Sequence, residues 1–201
     1  MLQANPEDPA SSRFNDGRVD PRGRYLLGTV DEPKAGGRAG LYRYDRRGLA
    51  RLAGGLLTSN GLAFSPDGRT LYHADTPRFQ VYRYDYDPET GSAENRRVFI
   101  AFDRVATGGG RPDGAAVDCE GCYWTALWDG GCVQRFDPEG GVIASYRTPA
   151  RRPTMPAFGG ADMKTLFVTS ARDESPDAGG ALFAMAAEVA GLPVGRFDPD
   201  A

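Results

Sequence analysis

The chain has 201 residues, 40% of them hydrophobic and 25% charged, and a net charge of −3, a balance typical of water-soluble chains with material for a core. No apolar run approaches the ~18 residues of a membrane span. Met1-Leu2-Gln3-Ala4-Asn5-Pro6 lacks the basic start and apolar stretch of a signal peptide, so a cytoplasmic location and no membrane partner are expected. Acidic and basic residues are mixed along the whole length, without the clustered basic footprint of a nucleic-acid binder.

In chain order, residues 1–12 come first, polar and carrying Pro6 and Pro9. They are expected to be a lead-in, the end of a blade lying upstream, to one domain over 13–201. Three segments then align with one another: Asn15 to Gly23, Asn60 to Gly68, and Asp113 to Gly121. In each, a polar Asn or Asp stands eight residues before a turn glycine. A strand-like run follows each turn, at Tyr25-Leu26-Leu27, Thr70-Leu71-Tyr72-His73 and Tyr123-Trp124-Thr125-Ala126. Each unit is expected to close with an aromatic-Asp pair, Tyr44-Asp45, Tyr84-Asp85 or Phe136-Asp137. A fourth unit is visible at Phe158-Gly159-Gly160 through Thr165 to Thr169, and ends near Ala181 to Ala184.

The aligned residues recur after 45 and then 53 positions, room for one four-stranded blade each. No long segment has the 3.6-residue period of a helix. The fold expected is all-β, about four consecutive propeller blades with no helix longer than roughly two turns.

Rotation about a propeller axis relates equivalent positions, so a register that faces the channel in one blade faces it in all. Asn15, Asn60 and Asp113 would then converge. Two amide oxygens and a carboxylate suit a hard cation such as Ca²⁺, Mg²⁺ or Mn²⁺. From the repeat alone, Asn-Gly and Asp-Gly serve equally well as turn chemistry.

Other features point away from competing chemistries. Cys119, Cys122 and Cys132 lie close together, but His73 is the only histidine, and the cysteines read as turn and strand residues rather than a zinc site. Gly108-Gly109-Gly110 lacks the ending of a phosphate loop, and no Gly-x-Ser-x-Gly elbow is present. His73 and Asp75 follow a strand and would lie at the channel mouth or, for the histidine, in packing. Trp124 and Trp128 read as blade core and inter-blade packing.

The segments Arg13-Phe14-Asn15-Asp16-Gly17, Ser59-Asn60-Gly61-Leu62, Arg111-Pro112-Asp113-Gly114, Ala157-Phe158-Gly159-Gly160 and Leu166 to Arg172 occur in this order. Together they resemble the senescence-marker-protein/gluconolactonase/luciferin-regenerating (regucalcin-like) family, from about Arg13 to Phe197. The resemblance implies a six-bladed propeller with one divalent metal near its channel. That metal is Ca²⁺ by family expectation, with Zn²⁺, Mn²⁺ or Mg²⁺ as alternatives. Carried over by motif, Asn60 and Asp113 are metal ligands, Asp113 is also catalytic, and Arg13 and Asn15 bind substrate. The family's third ligand is a glutamate near the N-terminus. Glu7, in Pro6-Glu7-Asp8-Pro9, does not match that motif and is not assigned.

The resemblance implies that about a third of the propeller and one acidic ligand lie outside these residues. An open blade edge would then be available for self-association, and the chain would be a weak enzyme on its own. The activity implied is hydrolysis of a small sugar lactone to the aldonic acid. The alternatives are a non-catalytic calcium-binding regulatory propeller and an inactive fragment.

Overall fold

The protein is described here by a computed structural model covering residues 3–174 and 176–201. Among these residues there are fifteen strands, a single 3-10 turn at Thr76–Arg78 and no α-helix. The strands form four separate antiparallel sheets, each built from consecutive segments of chain.

Blade 1 comprises β1 (Ser12–Val19), β2 (Tyr25–Asp31), β3 (Ala39–Asp45) and β4 (Gly48–Leu56), and blade 2 comprises β5 (Ser59–Phe64), β6 (Thr70–Asp75), β7 (Gln80–Asp87) and β8 (Ser92–Ala101). Blade 3 holds β9 (Arg111–Val117), β10 (Tyr123–Trp128), β11 (Cys132–Phe136) and β12 (Val142–Arg147). Blade 4 has three strands, β13 (Pro153–Gly159), β14 (Thr165–Ser170) and β15 (Leu182–Ala186). The expectation of about four consecutive blades is met. The aromatic-Asp pairs Tyr44-Asp45 and Phe136-Asp137 mark the end of a blade's third strand rather than its close, and β7 runs two residues past Asp85. A fourth, more exposed strand follows in the first three blades.

The turn after each first strand explains the glycine spacing. Gly23, Gly68 and Gly121 have φ of 89°, 70° and 83°, a region that costs L-residues energy. Their amides donate to Asp20, Ser65 and Asp118 carbonyls at 3.1, 2.8 and 3.0 Å. In blade 4 the equivalent residue is Met163, with φ of 57° and its amide 3.2 Å from the Gly160 carbonyl. The fourth repeat is therefore anchored at Met163, not at the glycine pair. Counting back eight residues puts Met155 where the other blades have Asn15, Asn60 and Asp113.

Apolar layers fill the spaces between blades. Leu26, Leu41 and Leu56 of blade 1 meet Leu62, Leu71, Tyr84 and Tyr86 of blade 2. Tyr72, Val81 and Ile100 of blade 2 meet Val117, Tyr123 and Phe136 of blade 3. Trp124 is fully buried between blades 3 and 4, edge-on to Phe158 at 5.3 Å and stacked on Tyr146 at 5.1 Å. Its indole donates to the Asp118 carboxylate at 2.8 Å. The Trp128 ring is covered by the Arg152 guanidinium, 5.3 Å from its centroid.

The first strands β1, β5, β9 and β13 lie side by side in that order, the inner ring around a channel. Neighbouring inner strands belong to different sheets, so no backbone ladder joins them. Side chains of β1 take that role. Asp16 accepts from the Leu62 amide at 3.0 Å, and Arg18 Nε donates to the Leu62 carbonyl at 2.8 Å. Arg18 also donates to the Ala115 carbonyl of β9, reaching across to the third blade. The segment after Ala190 runs from the end of β9 in blade 3 across to blade 1. Leu192 donates to the Val117 carbonyl, Asp198 donates to that of Gly23, and Phe197 packs on Tyr25 and Tyr44.

Arg18→Met would leave the Leu62 and Ala115 carbonyls without this donor. We expect a loss of about 2–4 kcal/mol in urea unfolding, against less than ~0.5 kcal/mol for the exposed Arg47→Met as control.

Candidate functional site

The register residues sit inside strands, not in turns, and each lies at or beside an irregularity in its ladder. Pairing slips between Phe14 and Gly17 on β1, between Asn60 and Ala63 on β5, and between Pro112 and Ala115 on β9. A bulge turns a side chain away from the regular alternation of a strand. The glycine that follows Asn60 and Asp113 is there for space. Gly61 has φ of 59°, and a Cβ on it would lie 2.5 Å from the Tyr123 hydroxyl and 2.9 Å from the Asp113 carbonyl oxygen. The Asn-Gly and Asp-Gly pairs are thus bulge chemistry on the inner strands, which settles against the turn reading.

Hydrogen bonds link three of the four residues expected at the site. Arg13 Nη1 donates to Asn15 Oδ1 at 3.0 Å, and Asn15 Nδ2 donates to Asn60 Oδ1 at 2.8 Å and to the Ser59 carbonyl at 2.9 Å. Asn60 Nδ2 then donates to Thr76 Oγ1 at 2.9 Å. The Thr76 hydroxyl donates to the Pro112 carbonyl at 2.6 Å, so the chain of bonds ends one residue before Asp113. Asn60 is buried and Asp113 partly buried, while Arg13 and Asn15 are exposed. Arg13 also pairs with Glu32 at 2.8 Å.

Asp113 is the perturbed group. Burial, with the nearby Asp16 carboxylate adding to it, pushes its pKa up to about 7, against the pull of Arg111 and the Gly114 amide. Asp16 is itself raised, chiefly by burial, while the Leu62 amide and Arg18 hold it down. Two carboxylates sharing one desolvated space favour a proton, or a cation in its place. Asp16 was not among the expected residues, nor was Thr76. Asp16 and Arg18, spaced to share a strand face in a channel-lining strand, were the available signal; Thr76 carries none in the sequence.

Three further residues lie elsewhere than at the site. Glu7 accepts from the hydroxyls of Ser12, Thr29 and Tyr42 at 2.5, 2.8 and 2.8 Å on blade 1. Burial first, then Glu7, pushes Tyr42 up to about 12. His73 and Asp75 are fully buried rather than at the channel mouth. Asp75 accepts from the Thr58 amide at 3.0 Å and Arg78 at 2.6 Å, tying the blade 1–2 linker down. His73 Nε2 meets Ser59 Oγ at 2.6 Å, but Ser59 is itself fully buried, out of a substrate's reach. Cys119 is exposed in the β9–β10 turn and Cys132 is buried on β11. Among the described residues, no three His, Cys, Asp or Glu side chains come together as a metal-binding group.

With this fold and site, the chain belongs to the SMP-30/gluconolactonase/LRE-like family, whose pattern it matches over residues 1–172. It is 49% identical to a 6-deoxy-6-sulfogluconolactonase of Pseudomonas putida over 86% of this chain and 58% of that protein. It is 38% identical to pentonolactonase XacC of Haloferax volcanii over 93% of this chain and 67% of that protein. Among solved structures, a calcium-binding protein, regucalcin, from Agrobacterium tumefaciens superposes with a TM-score of 0.83 at 34% identity. That match covers 95% of this chain and 65% of the other. The chain thus spans 58–67% of the length of these relatives.

Two stability measurements follow. The raised Asp113 binds a proton in the folded state over a pH range where the unfolded carboxyl, with its ordinary value of 3.8, has lost it. Its contribution is therefore lost as pH rises from about 4 through about 7. Without added cation, Asp113→Asn should be about 1–3 kcal/mol more stable than the parent at pH 8, the gap closing by pH 4. His73 behaves oppositely to a partnered histidine: burial, then Arg96, pushes it down to about 3. Below pH ~6.5 the unfolded chain takes up a proton that the fold refuses, costing about 1.4 kcal/mol per unit down to the folded value. Thermal melts from pH 7 to 4.5 should fall more steeply for the parent than for His73→Gln.

Proposed function

We propose that the site hydrolyses a small sugar lactone to the aldonic acid with one divalent cation held by Asn60 Oδ1 and Asp113. The observation that carries this reading is Asp113, a partly buried carboxyl whose proton affinity is raised, on the inner strand packed against the one that carries the hydrogen-bonded Asn60 amide. The donor set fits the cation. Asn60 Oδ1 accepts one hydrogen bond from Asn15 and has a second lone pair, and a dication would relieve the repulsion between Asp113 and Asp16. The oxygen-only set favours Ca²⁺, Mg²⁺ or Mn²⁺ over a thiolate-seeking metal. Two relatives with lactonase names support the substrate class.

When bound, the cation would supply Lewis acidity to the lactone carbonyl and acidity to a water. The chain's own residues do the rest. Asp113 takes the water proton as the water oxygen adds to the carbonyl carbon, and returns it to the ring oxygen as the ring C–O bond breaks. Asn15 and Arg13, exposed on the first inner strand, contact the sugar hydroxyls. A second reading, a calcium-binding propeller without turnover, draws on the regucalcin likeness.

The test is hydrolysis of glucono- and pentonolactones with Ca²⁺, Mn²⁺, Mg²⁺ or Zn²⁺, beside chelator and Asp113→Asn. We expect turnover above the spontaneous rate, dependent on the cation and about a hundredfold or more lower in Asp113→Asn. Cation binding without turnover favours the second reading. Turnover indifferent to both cation and Asp113 overturns the assignment.

A further inference from the structure

Thr76 belongs to none of the motifs that define the site. It is buried, at the start of the 3-10 turn Thr76–Arg78 that follows β6, and the Phe79 amide donates to its carbonyl at 3.1 Å. Its backbone is therefore fixed. Its hydroxyl is the last link in the hydrogen-bonded line from Arg13 to the Pro112 carbonyl.

The direction of that line is set by groups that can act in only one way. A guanidinium only donates, so Asn15 presents its oxygen to Arg13. The Ser59 carbonyl only accepts, which independently turns the Asn15 amide nitrogen toward Ser59 and Asn60. At the other end the Pro112 carbonyl only accepts, so the Thr76 proton points at it and the Thr76 lone pairs face Asn60. Asn60 is caught between a donor on one side and an acceptor on the other. Its oxygen must face Asn15 and its nitrogen must face Thr76.

We propose that Thr76 is a positioning residue for the candidate cation site: it holds the Asn60 amide with Oδ1 toward the channel and ties that amide to the backbone carrying Asp113. This rests on the cation site proposed above. The chemistry it answers is specific to asparagine as a ligand. A carboxylate offers oxygen from either end, whereas an amide turned over presents N–H groups to a cation and repels it. Without an acceptor at Thr76, nothing on that side of Asn60 distinguishes the two orientations. The same hydroxyl, through its own bond to the Pro112 carbonyl, also links blades 2 and 3 next to Asp113.

The experiment compares the parent chain with Thr76→Val and Thr76→Ser. Two quantities are read: solvent exchange of the Asn60 side-chain amide protons by NMR, assigned by their loss in Asn60→Asp, and Mn²⁺ and Ca²⁺ affinity by calorimetry. In the parent, the Asn60 amide protons should exchange slowly. Thr76→Val should bring them into fast exchange and weaken cation affinity by about ten- to a hundredfold, the usual effect of losing a group that orients a ligand. Thr76→Ser, which keeps the hydroxyl, should restore both. A purely structural role would lower the melting temperature in Thr76→Val while leaving affinity and exchange in the folded protein unchanged, and that result overturns the proposal. So does loss of affinity in Thr76→Ser equal to that in Thr76→Val. Should Thr76→Val not fold, Thr76→Ala decides on the same two readings, since it removes the acceptor without placing a methyl against Pro112. If the parent binds neither cation, the reading of Asn60 and Asp113 as a metal site fails by itself. The amide exchange then decides about Thr76 alone: release in the variant supports its positioning role, and unchanged protection overturns it.

Discussion

Inner strands of adjacent blades run side by side without sharing a ladder, so their edge-facing amides and carbonyls need side-chain partners. β1 meets this demand with two side chains spaced two residues apart. The Asp16 carboxylate takes the Leu62 amide and the Arg18 guanidinium takes the Leu62 carbonyl, as a neighbouring backbone would. Arg18 then extends to Ala115 on β9, bringing three blades to one point in the channel. The cost is a buried carboxylate beside Asp113. Arg18 offsets part of it; what remains raises Asp16 and adds to the burial that chiefly raises Asp113. The clasp that closes the inner ring and the electrostatics of the candidate site are therefore one arrangement.

Much of the fold was legible in the sequence because its repeat rests on backbone requirements. Gly23, Gly68 and Gly121 occupy positive φ in equivalent turns, so their spacing from Asn15, Asn60 and Asp113 records the length of an inner strand. The fourth repeat shows no glycine at this position because Met163 adopts the same conformation. Tertiary context held a residue where local preference would not put it. The dipeptides Asn60-Gly61 and Asp113-Gly114 carried both site and turn readings, and a one-residue slip of a ladder is a property of two strands together. Only pairing with β6 and β10 separates the two.

The parts of the site that escaped the sequence are those that work through partners. Thr76 is one hydroxyl in a turn, and its meaning arises from Asn60 on one strand and Pro112 on another, 16 and 36 residues away. Glu7 shows the converse. It is the only acid besides Asp8 upstream of Arg13, an obvious candidate by position. Its carboxylate is instead occupied by Ser12, Thr29 and Tyr42, three hydroxyl donors on the first blade. Residue type suggests what a side chain can bind, but the competition of nearer donors decides what it does bind.

Blade 4 breaks the polar register, and the break acts on its neighbour. Met155 stands where the first three blades carry Asn15, Asn60 and Asp113, and it packs on Gly114 so closely that a Cβ there would lie 2.6 Å from its methyl carbon. The same Cβ would also lie 2.6 Å from the Thr154 carbonyl oxygen, which is backbone and cannot swing aside. Gly114 is thus required for blades 3 and 4 to approach, and that approach seats an apolar thioether against the residue that follows Asp113. Burial is the largest influence on the Asp113 carboxyl. One structural position, repeated by rotation, therefore supplies oriented amides from two blades, a carboxylate from the third, and from the fourth an apolar side chain packed on the inner strand of the third.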